Sequence, residues 1–362
     1  MSTDRPAARR KIRILVVDDS TVMRTLLRMT LEPCPEVEIV GVARDGVTAL
    51  EALEFLRPDL MLLDIEMPGM NGLEVLAWVR EHHHAVRVIM CSVLTRRGAA
   101  ITLEALARGA ADYVTKPEAQ RGVREGVETL ARELLPKILA LFPPDPATLP
   151  FGASSSISLQ PLHSVPQALV IGVSTGGPAV LEKLLPALPA DFPLPILIAQ
   201  HMPQLFTALL AERLNSFCAL DVHEAVPGVR PEPGSVWIAR GDWHMEVTPD
   251  LHLRLRQAAP KELCRPSVDV LFHSAAAAWR GNVLAVILTG MGSDGLAGCR
   301  AVRDAGGLVF VQDRATSAVW GMPGVVAEAG LAHMVLPLDS MAREIRRFAA
   351  RRLIPAHRDP GA

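Results

Sequence analysis

The sequence predicts an α/β protein of two domains, and three observations lead to this prediction. Short β-branched runs alternate with helix-length segments in both halves of the chain. A stretch rich in proline, serine and glycine separates the two halves. The 362 residues also exceed the length of one ordinary domain, since domains of about 100–200 residues are usual. We therefore expect two folded domains joined by a linker.

The first half predicts a (βα)5 domain over residues 12–142. Apolar positions at helical spacing, such as Val22, Leu26 and Leu31, support a helix after the first run. Because strands that alternate with helices form parallel βαβ units, we expect a flavodoxin-like, doubly wound parallel sheet. The predicted strands are Ile12–Val17, Glu38–Ala43, Leu60–Asp64, Val88–Ser92 and Asp112–Thr115.

The second half predicts another α/β domain, Rossmann-like in type, over residues 167–350. The stretch before it, residues 143–166, lacks periodicity and is typical of a linker. Residues 1–11 and 351–362 are left as an N-terminal extension and a C-terminal tail. The predicted strands are Ala168–Val173, Ile196–Gln200, Val236–Ala239, Val283–Thr289 and Leu308–Val311.

Composition argues against several classes of function. The net charge is −2 and aromatic residues make up 4% of the chain, which gives neither the positive surface nor the stacking material typical of nucleic-acid binding. No apolar run approaches the roughly 20 residues of a membrane span. The five cysteines form no C-x-x-C pair, which is typical of free thiols in a reducing compartment. We expect a cytoplasmic protein that neither binds nucleic acid nor inserts into a membrane.

Polar residues follow several predicted strands of the first half. Asp18 and Asp19 come after the first strand, and Asp64 ends the third. Ser92 ends the fourth strand and Lys116 follows the fifth. The carboxyl ends of parallel strands share one edge of a sheet, so these groups should converge. Carboxylates together with a phosphate are typical ligands of Mg²⁺, and a carboxylate can act as nucleophile toward a phosphoryl donor. Asp64 is the central candidate.

These residues lie in segments that resemble the receiver domains of bacterial two-component systems. The segments are Val-Val-Asp-Asp-Ser (16–20), Leu-Leu-Asp-Ile-Glu-Met-Pro-Gly-Met-Asn-Gly (62–72), Cys-Ser-Val-Leu-Thr (91–95) and Gly-Ala-Ala-Asp-Tyr-Val-Thr-Lys-Pro (109–117). The resemblance implies that Asp64 accepts a phosphoryl group from a histidine kinase, and that Ser92 and Lys116 contact that group. It also implies that movement of Ser92 releases Tyr113 inward when the receiver is phosphorylated.

The same resemblance implies a metal site for the phosphorylation step. Its cofactor would be Mg²⁺, because the groups that converge at this edge are oxygen ligands. The implied ligands are Asp18, Asp19, Asp64 and the backbone carbonyl of Glu66.

The second half contains a serine, a histidine and an aspartate at the ends of predicted strands. Ser174 lies in a G-x-S-x-G segment, which taken alone is equally typical of a phosphate-binding or structural glycine turn. His201 follows the next strand, and Asp294 lies in a glycine-rich loop after a later one. Together they have the residue types for acyl transfer: a nucleophile, a general base and a carboxylate that orients the imidazole. The chain order Ser–His–Asp differs from the Ser–Asp–His order of ordinary α/β-hydrolases.

Six segments of this half resemble the chemotaxis response regulators that are protein-glutamate methylesterases and protein-glutamine glutaminases, the CheB family. They are Gly-Val-Ser-Thr-Gly-Gly (172–177), Gln-His-Met-Pro (200–203), Gly-Asp-Trp-His-Met-Glu (241–246), Arg-Pro-Ser-Val-Asp-Val-Leu-Phe-His-Ser (265–274), Leu-Thr-Gly-Met-Gly-Ser-Asp-Gly (288–295) and Gly-Met-Pro (321–323). The resemblance implies a phosphorylation-activated hydrolase that acts on methyl-accepting chemoreceptors. It would release methanol from glutamate methyl esters and deamidate glutamines, with no cofactor for the hydrolase chemistry.

The resemblance also assigns roles within the second half. Ser174 is the nucleophile, His201 the general base and acid, and Asp294 the orienting carboxylate. The backbone amide near Met291 is a candidate oxyanion donor, to which Thr175 adds support.

Two other hypotheses remain beside this one. In the first, the second domain is a receptor-binding module that is switched by phosphorylation and has little catalytic turnover. This hypothesis is disfavoured, because a protein that only binds receptors does not need Ser174, His201 and Asp294 together. In the second, the domain is a nucleotide-binding oxidoreductase, which we disfavour because we do not recognise a G-x-G-x-x-G fingerprint with a following acidic residue.

Overall fold

Both halves of the chain are built from parallel strands that alternate with helices, as predicted. The computed structural model describes residues 10–83, 85–117, 122–143, 165–257 and 264–350. The chain divides into two compact units, Met1–Asp145 and Pro146–Ala362. Most of the predicted linker, N-terminal extension and C-terminal tail lies outside the described residues, so those boundaries stay predictions.

The first unit has a sheet of five parallel strands in the order β2-β1-β3-β4-β5, which confirms the predicted doubly wound type. The strands are β1 Ile12–Val17, β2 Val37–Ala43, β3 Leu60–Asp64, β4 Arg87–Ser92 and β5 Asp112–Thr115. The helices are α1 Thr21–Leu31, α2 Gly46–Leu56, α3 Gly72–His82, α4 Arg96–Ala107 and α5 Val123–Leu141.

Local sequence explains where these helices begin. The strand β3 is buried along its whole length, as expected for a central strand covered on both faces. After the strands, short polar side chains accept hydrogen bonds from the first free N–H groups of the helices. Ser20 caps α1, Asp45 caps α2 and Asn71 forms a capping box with Glu74 at α3. The polar residues between strand and helix are thereby held at the carboxyl edge of the sheet.

The second unit has a sheet of seven strands, all paired in parallel, in the order β14-β13-β12-β6-β7-β9-β8. A separate antiparallel hairpin is formed by β10 and β11. The strands are β6 Ala168–Val173, β7 Ile196–Gln200, β8 Asp221–Glu224, β9 Ser235–Ile238, β10 His244–Val247, β11 Leu253–Arg256, β12 Val283–Ile287, β13 Leu308–Gln312 and β14 Met334–Leu336. The helices are α6 Gly177–Leu184, α7 Gln204–Asn215, α8 Val268–Ala278, α9 Leu296–Asp304, α10 Met322–Glu328 and α11 Leu338–Ala349.

The five strands predicted for this unit are present; β6 and β7 have the predicted ends, and the ends of β9, β12 and β13 differ by one or two residues. The strand β12, for example, ends at Ile287, two residues before the predicted end. The sequence did not predict β8, β14 or the β10–β11 hairpin. These strands have three or four residues each, which is too short for a clear apolar period.

The order of strands creates a crevice at the centre of the second sheet. The chain runs from β6 to β7 in one direction, whereas β12, β13 and β14 follow one another on the other side of β6. Ligands of open α/β sheets bind at such a switch point, outside the carboxyl ends of the strands. The neighbouring strands β12, β6 and β7 are those that the predicted catalytic residues follow.

Candidate functional site

In the first unit, the structure brings the predicted acidic residues together. Ligand oxygens of Asp18, Asp19 and Asp64 all lie within 4.8 Å of one another. The Lys116 Nζ lies 2.8 Å from Asp18 Oδ2 and 2.8 Å from Asp64 Oδ1. Asp18 and Asp64 are buried, and Asp19 is exposed. A set of clustered carboxylate oxygens with one open side fits a hard divalent cation such as Mg²⁺.

The charge state of Asp64 reflects this crowding. Burial raises the pKa of Asp64 to about 6, and the negative charge of Asp18 acts in the same direction. The hydrogen bond and positive charge of Lys116 lower the pKa but do not cancel the effect of burial. Burial alone would lower the pKa of Lys116, but its contacts with Asp18 and Asp64 raise it overall. One ammonium therefore does not fully balance the two buried carboxylates.

Ser92 and Tyr113 lie on β4 and β5, the two strands that follow β3 in the sheet. The buried Ser92 hydroxyl accepts a hydrogen bond from Thr102 Oγ1 at 2.7 Å. Tyr113 is 5% exposed, and the Lys137 Nζ lies 4.7 Å from its ring centroid. Tyr113 is thus buried in this structure. The coupling between Ser92 and Tyr113 stays a prediction.

Glu66 lies next to the predicted phospho-acceptor. Its backbone N–H donates to Asp64 Oδ1 at 3.4 Å. Its side chain instead points to Arg97, with Glu66 Oε1 lying 3.4 Å from Arg97 Nε. The side chain is therefore paired away from the acidic cluster, which leaves the backbone as the part of Glu66 that adjoins Asp64.

In the second unit, His201 and Asp294 form the central pair. His201 Nε2 lies 2.8 Å from Asp294 Oδ2, and the side chains are only 14% and 15% exposed. The start of α8 holds the carboxylate from the other side. Val268 N donates to Asp294 Oδ2 at 2.7 Å, and Asp269 N donates to Asp294 Oδ1 at 2.9 Å. Ser267 Oγ also donates to Asp294 Oδ1, at 3.0 Å.

These donors determine the charge of Asp294. Burial by itself raises the pKa of Asp294, but the hydrogen bond and charge of His201 and the N–H groups of Asp269 and Val268 outweigh it. The pKa therefore lies below its ordinary value. A carboxylate at a helix N-terminus also gains from the helix dipole. Asp294 is thus an ionised group in a fixed orientation, suited to hold an imidazole.

Ser174 lies at the end of β6 in a tightly fixed turn. Its N–H donates to Thr289 O at 3.0 Å, and its carbonyl accepts from Gln200 Nε2 at 3.0 Å. The next turn needs glycine, because Gly176 has a φ of 77° and a Cβ on Gly177 would clash with Gln200. No hydrogen bond joins the Ser174 hydroxyl to His201 among the described residues. Such contacts are often long before substrate binds.

Thr175 lies within this turn, and Met291 lies in a loop that packs against it. A Cβ on Gly290 would lie 2.8 Å from Ser174 Cβ, so the loop that carries Met291 packs directly against the serine. Within the described part of the chain, the Met291 N–H donates to no other group. Thr175 is buried, and its carbonyl accepts from Thr289 Oγ1 at 2.9 Å. The two loops are therefore tied together beside Ser174.

Sequence reasoning missed three residues of this site: Cys264, Ser267 and Asp269. Ser267 could have been found, because a serine before an apolar helical pattern is an N-cap signal. Burial and the nearby charge of Asp294 raise the pKa of the Cys264 thiol to about 11. Cys264 lines a groove of about 670 Å³ with Asp294. Further along, Glu246 pairs with both Arg254 and Arg256.

The prediction that the second unit lacks a G-x-G-x-x-G fingerprint with a following acidic residue is wrong. Gly290, Gly292 and Gly295 do have the G-x-G-x-x-G spacing, and Asp313 follows the next strand. In dinucleotide-binding domains, N–H groups at the start of the following helix bind the pyrophosphate.

Here a carboxylate of the chain itself occupies that position. Asp269 Oδ1 accepts from Gly295 N at 3.0 Å and from Gly298 N at 2.6 Å. Burial raises the pKa of Asp269, although the Gly298 N–H lowers it in part. The Asp269 carboxylate therefore occupies the anion site at the start of α9. The glycines instead shape the loop that carries Asp294. This geometry disfavours a dinucleotide more firmly than the sequence did.

Among the residues that the structure describes, every helix falls short of the length or apolar character that a membrane crossing requires.

The fold and the two sites define the class of protein: a domain with a receiver-type acidic cluster, followed by an α/β domain with a Ser–His–Asp set. A family model described as the response regulator receiver domain matches residues 14–128, and one described as CheB methylesterase matches residues 169–345. The chain belongs to the CheB methylesterase family, and its receiver domain precedes the methylesterase domain. This confirms the resemblance seen in the sequence motifs.

Relatives that match the chain over almost its whole length support the assignment to this family. The chain is 44% identical over 349 residues to a protein-glutamate methylesterase/protein-glutamine glutaminase of Trichodesmium erythraeum, covering 93% of this chain and 99% of the relative. It is 47% identical over 360 residues to a protein of the same name from a Nocardioides species, covering 95% and 98%. The solved Thermotoga maritima CheB methylesterase catalytic domain is 40% identical, with a TM-score of 0.49, and covers 50% of this chain and 98% of that one.

Proposed function

We propose that this chain is a phosphorylation-activated hydrolase of methyl-accepting chemoreceptors. It demethylates glutamate methyl esters and deamidates glutamines for sensory adaptation. The observation that carries the proposal is the 2.8 Å contact between His201 Nε2 and Asp294 Oδ2 at the switch point of the sheet, beside the strand that Ser174 follows. The names of the full-length relatives support the reaction and the kind of substrate.

The reaction starts from the serine. Ser174 Oγ attacks the γ-carbonyl carbon of the methylated side chain, and His201 takes the hydroxyl proton. Because Nε2 of His201 is engaged by Asp294, Nδ1 is the nitrogen that accepts this proton. Asp294 stays ionised and stabilises the imidazolium. Thr175 and the N–H near Met291 face the negative charge that develops on the carbonyl oxygen.

Two bond cleavages complete the reaction. The tetrahedral intermediate expels methoxide, which leaves as methanol with the proton held by His201, and Ser174 is acylated. Water then attacks the acyl carbon, giving its proton to His201, and the serine leaves with that proton as glutamate forms. With a glutamine side chain the same steps release ammonia instead of methanol.

The receiver provides the control. Asp64 accepts the phosphoryl group from a histidine kinase, and Ser92 and Lys116 contact that group. Asp18, Asp19, Asp64 and the backbone carbonyl of Glu66 would hold Mg²⁺, whose chemistry is to neutralise the charge of the phosphoryl oxygens. Lys116 already bridges Asp18 and Asp64, so phosphorylation would draw its ammonium toward the new phosphoryl oxygens.

The proposed domain plan keeps the boundaries predicted from the sequence. Residues 12–142 form the receiver, 143–166 the linker and 167–350 the hydrolase. A cytoplasmic location is also part of the proposal, since all five cysteines are free thiols.

The test is methanol and ammonia release from purified membranes that contain methylated or amidated chemoreceptors. The chain should release both products, and Ser174→Ala should abolish both while Ser216→Ala, a change at an exposed serine, leaves them intact. If Ser174→Ala retained full release of both products, Ser174 would not be the nucleophile and the proposed mechanism would be overturned. Absence of release by the wild-type chain would instead favour the receptor-binding module.

A further inference from the structure

We infer that His201, Cys264 and Asp294 form a binding site for a thiophilic divalent cation, represented by Zn²⁺, which holds the hydrolase inactive. Ligand atoms of the three side chains all lie within 4.8 Å of one another. Hydrolysis uses two of these residues and has no role for Cys264. The three side chains therefore form a set of metal ligands that includes the catalytic pair, His201 and Asp294.

The chemical types of the ligands select the metal. Thiolate, imidazole and carboxylate are the three groups that bind Zn²⁺, and three protein ligands with one open position are typical of zinc sites that face solvent. Mg²⁺ and Ca²⁺ prefer oxygen ligands alone. The acidic cluster of the receiver has that all-oxygen character, so the two sites should separate hard from soft cations.

The distances require only small movements. Zinc bond lengths of about 2.0–2.3 Å place tetrahedral ligand atoms roughly 3.3–3.6 Å apart. His201 Nε2 and Asp294 Oδ2, now in a hydrogen bond of 2.8 Å, need to separate by about 0.5 Å when a metal takes the place of that bond. Cys264 needs to approach from within the 4.8 Å limit. The Cys264 and Asp294 side chains both line the groove, which gives a cation and its fourth ligand, water, an entry path.

The charges also balance. A Cys264 thiolate and the Asp294 carboxylate together carry two negative charges, which a divalent cation neutralises. Without the metal, a second negative charge beside Asp294 would be costly in this partly buried place. The site is therefore fitted to a dication together with both anions, with the thiol proton released to solvent on binding.

Inhibition follows from the geometry. A metal bound to His201 and Asp294 removes their mutual hydrogen bond and ties up the imidazole that serves as general base. Removal of the metal by a chelator restores the pair. This part of the inference rests on the proposed hydrolase function, whereas metal binding itself does not.

Binding is tested with Co²⁺ as a spectroscopic substitute for Zn²⁺, on the full chain with Mg²⁺ in excess to occupy the receiver. We expect a thiolate-to-cobalt absorption band that one equivalent of Zn²⁺ removes. Cys264→Ser should abolish the band, and the matched change Cys218→Ser should leave it. Absence of the band in the wild-type chain, or its survival in Cys264→Ser, would overturn the inference.

Two further measurements separate the possible failures. On the wild-type chain, Zn²⁺ should slow alkylation of Cys264 but not of Cys218, as read by mass spectrometry, and equal slowing of both would contradict the site. In the methanol assay, Zn²⁺ should inhibit, and Cys264→Ser should need at least about tenfold more Zn²⁺ for the same fraction of its own uninhibited rate. A chain with the cobalt band but no methanol release would refute the proposed function and leave the metal site standing.

Discussion

The acidic cluster of the receiver and the Ser–His–Asp set of the hydrolase occupy the same place in two different sheets, the carboxyl ends of neighbouring parallel strands. The aspartates Asp64 and Asp294 of these two sites nevertheless behave in opposite ways. Burial raises the pKa of Asp64 to about 6, whereas the pKa of Asp294 is lowered. The fold supplies the position, and the groups around the carboxylate decide its charge.

The difference lies in the kind of donor. Asp294 receives two backbone N–H groups and one hydroxyl from the start of α8, in addition to His201. Asp64 faces another buried carboxylate and shares one ammonium with it. A carboxylate such as Asp294, which accepts hydrogen bonds from fixed dipoles, is already charged and oriented for catalysis. One that is short of positive charge is prepared for a cation and a phosphoryl group.

The largest expected effect comes from Asp294→Asn. The change keeps the shape but removes the charge that stabilises the imidazolium, and it places an amide N–H₂ where a carboxylate accepted N–H donors. We expect methanol release to fall roughly 10³–10⁴-fold, as in serine hydrolases that lose this charge. Thermal unfolding serves as the control for folding. A loss of less than tenfold would show that His201 does not depend on Asp294.

At Asp64, in contrast to Asp294, we expect removal of the negative charge to be favourable. A raised pKa means that the folded receiver disfavours the charged form, so Asp64→Asn should stabilise the chain in the absence of divalent cations. The shift from 3.8 to about 6 corresponds to about 3 kcal/mol, which solvent screening reduces to about 1–2 kcal/mol. Denaturant unfolding of the full chain checks this prediction. Lower stability of Asp64→Asn would mean that Lys116 does balance both carboxylates.

Ser267→Ala tests the contribution of one hydrogen-bond donor to Asp294 at the start of α8. Ser267 Oγ donates to Asp294 and also accepts from Val270 N as the helix cap. We expect about 1 kcal/mol of lost stability and a fall in methanol release of about tenfold, since one hydrogen bond to the charged Asp294 is removed. The matched receiver change Asn71→Ala, at the cap of α3, should lose similar stability without slowing unstimulated hydrolysis. Equal loss of activity in both variants would indicate a general effect on folding.

A half-buried histidine outside both sites, His333, gives the smallest effect. Burial lowers the pKa of His333 to about 4, and its Nδ1 accepts from Val309 N at 2.9 Å. Because the folded pKa lies below the unfolded value, this contribution is complete above about pH 6.5 and is lost as the pH falls toward 4. It should amount to about 1–2 kcal/mol after solvent screening.

The measurement is the free energy of unfolding from pH 7 to pH 4. The variant His333→Asn keeps an acceptor for Val309 and should flatten that pH dependence, while the exposed His223→Asn should not. An unchanged slope in His333→Asn would show that other groups control stability at low pH.

The sequence predicted those parts of the site that lie next to strand ends. Ser174, His201 and Asp294 could be placed because each follows an apolar run, and parallel strands bring such positions together. The family assignment is confirmed, and the roles of these residues stay predictions. The groups that set the charge of Asp294 could not be placed, since Val268 and Asp269 precede it by 26 and 25 residues.

Other parts of the structure also lay outside what local patterns express. Cys264 carries no motif, and its approach to His201 depends on how distant segments pack. The G-x-G-x-x-G spacing of residues 290–295, in contrast, is a motif with two meanings, because the same glycines suit a dinucleotide-binding loop and a catalytic loop. Only the position of the Asp269 carboxylate at the start of α9 decides between them.

We propose that phosphorylation of the receiver domain controls the serine hydrolase in the same chain. The most direct test is the rate of methanol release from methylated chemoreceptor membranes, with and without acetyl phosphate and Mg²⁺, for the wild-type chain and for Asp64→Ala. We expect acetyl phosphate to accelerate methanol release by the wild-type chain and to leave Asp64→Ala at its unstimulated rate. Equal stimulation of both chains, or no stimulation of the wild type, would contradict it.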